Sequence, residues 1–525
     1  MHQRAPGTTP GLRTVRAWSW LVGLVGGVAG LALANLAAWL TGPAGAPVSA
    51  VGELIISLLP APLINFGKDT LGTADKPILV GIITVGVLVL CALAGQAEYR
   101  RSWAGGVVFG LVAVVGLVAV WDRANGQPIA LLPTAIGLVF GYLLLRSLVD
   151  RLHAWHQTKP DANGVARPAV TSAARRSFLR WTVVAGGLAA VGAVAGQVLV
   201  GAANRVSAAR EALRLPAAAR AAAPVPAGAD FGIAGLSPYL TPNDSFYRID
   251  TALQVPVIDP DDWSLSITGM VETPITISYA ELAAMPLVEH VATLTCVSNE
   301  VGGDLIGNAR WLGYPIRDLL AKAKPAAGAD MVLSTSQDGF TAGTPLTALT
   351  DPDREALLAI GMNGDPLPLE HGFPVRMVVP GLYGYVSATK WVTQLKVTTF
   401  AADQGYWTPL GWSAKGPIKL ASRIDVPRRK VETGQVMVAG VAWAQHTGIS
   451  KVEVSVDGEW REAELAEVTS TDTWRQWRYR WTAASGDHRL TVRAYDTDGN
   501  LQVSAEAPPA PDGSTGYHSV TVSVA

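Results

Sequence analysis

The sequence is poor in cysteine and in charge. Two cysteines occur in 525 residues, Cys91 inside an apolar run and Cys296 in the polar half, so the polar half contains no internal disulfide and Cys296 acts as a thiol. Charged residues make up 16% of the chain and the formal net charge is -1. That balance removes the case for nucleic-acid binding, which asks for a basic face able to displace counterions from phosphates. No histidine falls inside an apolar run; His2, His153 and His156 lie in flanking segments, so bis-histidine haem within a membrane is not supported. Neither a second cysteine nor a histidine cluster accompanies Cys296 to make a tetrahedral zinc set.

Apolar residues are plentiful. The hydrophobic fraction is 49% and the mean hydropathy +0.27, values that place much of the chain out of water. Apolar stretches at Trp18 to Leu40, Ile78 to Leu93, Trp103 to Trp121, Ile129 to Leu148 and Leu179 to Gly201 each approach the ~20 residues a helix needs to cross hydrocarbon. They predict five spans within a transmembrane domain of residues 1–201. Val48 to Phe66 contains Glu53, Pro60 and Pro62 and reads as a re-entrant or surface hairpin. Arg4, Arg13, Arg16, Arg100, Arg101 and the basic loop from Arg146 to Arg180 mark the cytoplasmic side. Five crossings then put everything after Gly201 on the far side of the cytoplasmic membrane. Before the fifth span, Arg175-Arg176-Ser177-Phe178-Leu179-Arg180 resembles an internal twin-arginine export signal, a route for proteins that fold around a cofactor before export.

Residues 202–235, rich in Ala, Arg, Pro and Gly, read as a linker. Beyond it Trp263, Leu265 and Ile267 alternate with Ser264, Ser266 and Thr268, and Ser278 with Glu281 forms a capping box, so residues 236–415 carry α+β patterning. From residue 416 to 525 strands alternate with turns such as Asp457-Gly458 and Asp498-Gly499, the pattern of an immunoglobulin-like β-sandwich. There Trp477, Tyr479 and Trp481 share one face, opposite Gln476, Arg478 and Arg480, which reads as a solvated outer face.

Val291 to Cys296 alternates like a strand and runs into Val297-Ser298-Asn299-Glu300-Val301-Gly302-Gly303, a loop that lets backbone approach a ligand. A thiolate at a strand end can bind a soft or high-valent metal that brings its other ligands along. Thr293-Leu294-Thr295-Cys296 with Asn299 and Gly307-Asn308-Ala309-Arg310-Trp311-Leu312-Gly313, followed by Ala356-Leu357-Leu358-Ala359, Met362-Asn363-Gly364, Pro366-Leu367-Pro368, His371-Gly372-Phe373-Pro374-Val375-Arg376, Val378-Val379-Pro380-Gly381 and Lys390-Trp391, resembles the sulfite oxidases and their bacterial relatives. The resemblance runs from about Pro238 to the C-terminus.

Together with the apolar runs, it gives a multi-domain chain: an N-terminal α-helical transmembrane domain, an α+β sulfite-oxidase-type molybdopterin domain and a C-terminal immunoglobulin-like β-sandwich of the dimerisation type, with a homodimer plausible. It also implies a molybdenum-molybdopterin cofactor without nucleotide, Cys296 as the sole protein ligand to the metal, and no haem in this chain. Asn243, Tyr247, Arg248, Ser336, His371, Arg376, Ser387 and Lys390 fall where relatives hold the cofactor, and Arg248 and Arg310 join Cys296 as catalytic candidates. The chemistry implied is oxygen-atom transfer to or from a small sulfur or nitrogen oxo-compound, with electrons exchanged with a cytochrome or quinone.

Two positions depart from the family pattern. Asn299-Glu300-Val301 replaces Asn-Arg-Arg, and Ile360-Gly361 precedes the Met-Asn-Gly block where a tyrosine is usual. Glu300 would repel a sulfite dianion, which weighs against sulfite as substrate. The alternatives are a true sulfite dehydrogenase and, in another class, a non-catalytic membrane sensor or interaction protein that retains the fold.

Overall fold

The computed structural model describes residues 12–41, 47–59, 75–123, 128–156, 173–187, 206–252 and 255–525. The chain divides into two compact units, residues 1–204 with 251–254, and residues 205–250 with 255–525.

In the first unit, helices Leu12–Thr41, Asp75–Arg100, Ala104–Arg123 and Leu131–His156 contain four stretches long and apolar enough to cross a membrane. Ile82, Leu111 and Val139 point outward at 64%, 66% and 60% exposure, as on a bundle solvated by hydrocarbon. The helices touch through small residues. A Cβ on Gly30 would lie 2.6 Å from the carbonyl oxygen of Gly137, and one on Gly137 would lie 2.4 Å from that of Gly30. Gly26 and Gly141 repeat the contact one turn away at 3.0 and 2.9 Å, so two Gly-x-x-x-Gly faces meet at backbone distance. Gly27 likewise lies against Cys91, whose Sγ is 2.3 Å from where a Cβ would stand. The fifth expected span is described only to residue 187, inside a helix of residues 173–187; the rest lies outside the described residues. Arg175 and Arg176 belong to that helix, and the fully buried Phe178 packs 5.4 and 5.5 Å from the rings of Trp18 and Trp155. Of Val48 to Phe66, Pro47–Leu58 is helical, too short to span; residues 60–66 lie outside the described residues.

The second unit is built from four sheets. Strands Ile275–Ser278, Ser264–Gly269, Val392–Thr398, Met331–Ser336 and Thr341–Pro345 form one. Val288–Thr295, Ile306–Pro315, Leu357–Met362 and Asp365–Pro366 form another, with Arg376–Val378 beside Leu357–Met362. Leu265, Ile267, Leu319, Leu320, Leu358 and Leu395 lie in the main core between them. The capping box forms as expected: Ser278 N donates to Glu281 Oε2 at 2.8 Å, and Glu281 N donates to Ser278 Oγ at 3.3 Å.

The C-terminal strands make two facing sheets around Ile424, Val438, Val452, Trp477, Trp481, Leu490 and Val522. The Asp457-Gly458 hairpin has both residues in the left-handed region, at φ 51° and 99°, as a two-residue turn between twisted strands demands. The face expected to be solvated is partly covered. Gln476 is fully buried, accepting from Phe231 N and donating to Ser237 O, both at 2.8 Å, and Arg478 lies 4.2 Å over the Phe231 ring.

That cover comes from the stretch expected as a linker. From residue 206 it is bound along the domain: Arg210 donates to the carbonyls of Leu367 and Pro366, at 2.7 and 3.0 Å, and Ala219 N donates to Leu287 O at 2.7 Å. Leu213 and Leu215 pack on the main core. Scattered leucines without a helical stripe gave no sign of this, because the partners are carbonyls and sheet edges far along the chain.

Candidate active site

Strand alternation builds the site. Ala292 and Leu294 turn to the same buried cluster as Phe246, Ala309 and Trp311. Cys296, two residues on, shares their parity, lies 8% exposed, and is fixed by its N–H donating to Leu305 O at 3.0 Å. Residues of the other parity turn away: Thr293 Oγ1 donates to Asn308 Oδ1 at 2.9 Å, and Gln445 Nε2 donates to Thr295 Oγ1 at 3.0 Å.

The Trp311 face carries the basic groups. Arg376 is buried with its guanidinium 5.1 Å over the Trp311 ring and Nη1 donating to His371 O at 3.1 Å. Gly372 makes this possible: at φ 110°, its Cβ position lies 2.9 Å from Arg376 Cβ and 3.1 Å from Lys390 Cβ, so any side chain there would push the two basic residues apart. Lys390 Nζ donates to Asp250 Oδ2 at 2.7 Å and to Glu370 O at 3.0 Å. Arg248 Nε donates to the same Asp250 oxygen at 2.9 Å.

Burial dominates the electrostatics. It lowers Arg376 to about 10 and Lys390 to about 8, Asp250 opposing the latter shift. Burial, reinforced by Arg376 and Lys390, lowers His371 to about 4, so the ring is neutral at pH 7. His371 Nε2 stands 3.1 Å from Asn243 O; a carbonyl only accepts, so Nε2 carries the proton and Nδ1 the lone pair. Tyr247 is held protonated, first by burial and then by the Cys296 thiolate, with Arg376 opposing. Tyr247 is therefore the group that senses both the thiol and the basic cluster. Arg376 and Lys390 are both buried, with Asp250 paired to Lys390 and to Arg248; such a cluster suits an anionic ligand, which would relieve the cost of burying the cations.

Among the candidates, Cys296, Asn243, Tyr247, His371 and Arg376 come together, with Lys390 and Arg248 joined through Asp250. Arg310 does not. It alternates with Trp311 and leaves the strand on the opposite face; its backbone N–H donates to Asn363 Oδ1 at 2.9 Å. Ser387 is fully buried, its hydroxyl donating to the carbonyls of Tyr383 and Leu382 at 2.9 and 3.3 Å, which shapes the loop before Lys390. Ser336 donates to Asp338 Oδ1 from a strand paired with Val392. Three contributors were not singled out in advance. Asp250 is one, Tyr383 another. The third is Asn363, which at φ 53° donates to Thr241 O and Asn243 Oδ1, both at 2.9 Å, and so fixes the segment beneath His371; its Asn-Gly turn signature was the available sign.

The loop after Cys296 is braced by the C-terminal domain. Ser514 Oγ donates to Asn299 O at 2.7 Å, and Arg423, in a buried pair with Asp425 at 2.6 Å, donates through Nη1 to Gly303 O at 2.6 Å.

Residues 252–407 match the oxidoreductase molybdopterin binding domain, and residues 427–492 match the bacterial Ig domain. The chain is 30% identical over 321 residues to mitochondrial sulfite oxidase of Homo sapiens, across 51% of this chain and 58% of that protein. It is 28% identical over 330 residues to sulfite oxidase of Arabidopsis thaliana, across 51% and 83%. The chain thus spans little more than half the length of its mammalian relatives. Among solved structures it is similar to the sulfane dehydrogenase SoxCD of Paracoccus pantotrophus, with TM-score 0.48 and 22% identity over 55% of this chain and 84% of that one. A strand-end cysteine beside a buried basic cluster, within residues that match this family model, defines the class: residues 252–407 carry an oxidoreductase molybdopterin binding domain similar to that of sulfite oxidases, and the chain is an oxidoreductase. Its cofactor is molybdenum held by molybdopterin.

Proposed function

We propose that this chain is a membrane-anchored enzyme that transfers an oxygen atom to or from a small sulfur or nitrogen oxo-compound, with Cys296 as the protein ligand to the metal. The observation that carries this reading is the burial of Arg376 and Lys390 around a neutral His371, with Tyr247 linking them to the Cys296 thiol. When bound, the cofactor supplies two-electron oxygen-atom chemistry.

The chain's residues have separable tasks. Lys390 and Arg376 would hold the anionic tail of the cofactor, and the exposed Arg248 stands at the rim. His371 presents its Nδ1 lone pair as an acceptor, while Asn243 O fixes its tautomer. Tyr247, kept protonated, donates instead of ionising. The strand and its braced loop hold Cys296 in one place. Electrons pass to a cytochrome or quinone. The four long apolar helices support a multi-pass anchor, and Arg175-Arg176 support export of the folded catalytic part to the outer side, where sandwich domains can pair two copies.

Molybdenum and pterin quantification on purified protein tests the assignment. About one molybdenum per chain, lost in Cys296→Ser, is expected; metal-free protein that is folded and exported would overturn it in favour of a binding role. The second reading, a sulfite dehydrogenase, is favoured by the sulfite oxidase relatives. Steady-state assays with sulfite and with S-oxides on one preparation separate the two.

A further inference from the structure

The basic cluster already meets an anion of the chain's own. Asp250 Oδ2 accepts from Lys390 Nζ at 2.7 Å and from Arg248 Nε at 2.9 Å, so a single carboxylate oxygen binds two cations. The Lys390 ammonium has three protons to give. One goes to Asp250 and one to Glu370 O at 3.0 Å, and the nitrogen stands 4.6 Å over the Trp391 ring. Arg376 bonds carbonyls instead, those of His371 at 3.1 Å and Met377 at 3.3 Å.

Charge decides what this pairing does to an incoming ligand. The Lys390 side chain is 9% exposed, and burying it without a counter-charge would be costly; Asp250 supplies that charge from within the chain. The same carboxylate obstructs a phosphate, because an anion taking the ammonium's remaining proton would stand beside another anion in a buried setting. Asp250 is free to yield: residues 247–250 belong to no helix or strand, and Arg248 and Ile249 before it are exposed. Displacing it costs any phosphate the same, and only a ligand with further contacts can offset that cost. We propose that Asp250 is a selectivity residue for cofactor loading: it keeps Lys390 from free inorganic phosphate and gives it up to the cofactor's phosphate, whose pterin adds contacts that inorganic phosphate lacks. The inference rests on the reading that Lys390 seats the anionic tail, and it adds a guard to that seat.

Calorimetric titration of inorganic phosphate into the purified full-length chain, made in cells that cannot synthesise molybdopterin, tests it. Asp250→Asn is expected to bind phosphate at least about tenfold more tightly than the unaltered protein, with the gain fading at high salt. Arg248→Gln added to Asp250→Asn restores the cluster's net charge and removes the cation left unmatched at the rim. A gain of about threefold or more should persist there, because it belongs to the freed ammonium; should Asp250→Asn alone fail to fold, this pair carries the test. Lys390→Gln added to Asp250→Asn should erase the gain. Phosphate binding no tighter in Asp250→Asn than in the unaltered protein would overturn the proposal and make Asp250 a residue that aims Lys390 at the cofactor. A gain that vanishes once net charge is restored, or that survives loss of Lys390, would overturn it as well. The titration needs neither metal nor turnover, so the two readings fail separately, with pterin content of Lys390→Gln from cofactor-making cells as the second readout. Full pterin content alongside the phosphate gain upholds Asp250's hold on Lys390 and sinks the seat; lost pterin with phosphate binding indifferent to Asp250 does the reverse.

Discussion

At the residue scale the basic pocket is costly until something anionic fills it. Lys390 and Asp250 are 9% and 3% exposed in their side chains and 2.7 Å apart. Removing one member of such a pair strands the other, a loss of about 3 kcal/mol. Asp250→Asn should lower the denaturation midpoint accordingly, and inorganic phosphate should recover more stability in the variant than in the unaltered protein. His371 adds a pH dependence of known sign. Its folded value, about 4, lies below the ordinary histidine value of 6.5, so between those pH values the unfolded chain binds a proton that the folded chain does not. Stability should fall as pH drops through that window, by up to about 3 kcal/mol. Denaturant titrations from pH 7 to 4 check this, and His371→Gln should flatten the curve.

At the element scale two periodicities decide what faces what. On the first helix, Gly26 and Gly30 meet Gly141 and Gly137 at distances that admit no Cβ. Gly30→Leu should therefore part the helices at a cost of about 3 kcal/mol or more, seen as lost thermal stability in detergent. On the cysteine strand and its partner, the period of two separates Trp311 from Arg310. The alternation around Cys296 was legible in the sequence because a half-buried strand writes its faces into every second residue. Which face received the pocket was not legible, and so Arg310 stood beside Cys296 as an equal candidate. Asp250 and Tyr383 were hidden for a different reason. Asp250 meets Lys390 across 140 positions, and the Tyr383 hydroxyl accepts from Lys419 N across 36; no local pattern encodes contacts of that range. The capping box and the Asp-Gly hairpin are the opposite case, since both are complete within a few residues.

At the scale of the whole second unit, the sandwich behaves as part of the site. Asp472 accepts from His290, on the cysteine strand, at 2.7 Å and from His446 at 3.0 Å. Burial alone would raise its pKa, but those hydrogen bonds and the two imidazoles outweigh burial and leave it lowered. The carboxylate thus contributes stability above the ordinary aspartate range and loses it under acid. Arg423→Met leaves the buried Asp425 with Arg428 at 3.7 Å and Ser237 N and releases Gly303 O; the expected result is about 3 kcal/mol of lost stability together with a fall in molybdenum content. Unchanged metal loading in a folded variant would show that the loop after Cys296 needs no brace.

The segment of residues 206–239 leaves the ribosome early, yet Phe231 and Ser237 are held by Gln476, and Ser237 N donates to Asp425 Oδ2 at 3.0 Å. Its seat is synthesised some hundreds of residues later, which at a translation rate of about 5–20 residues per second means a wait of ten seconds or more. The domain therefore cannot close from its N-terminal end as it is made. Residues 231–237 emerge early but dock only once Asp425 and Gln476 exist, so closure of the unit waits for its C-terminal domain.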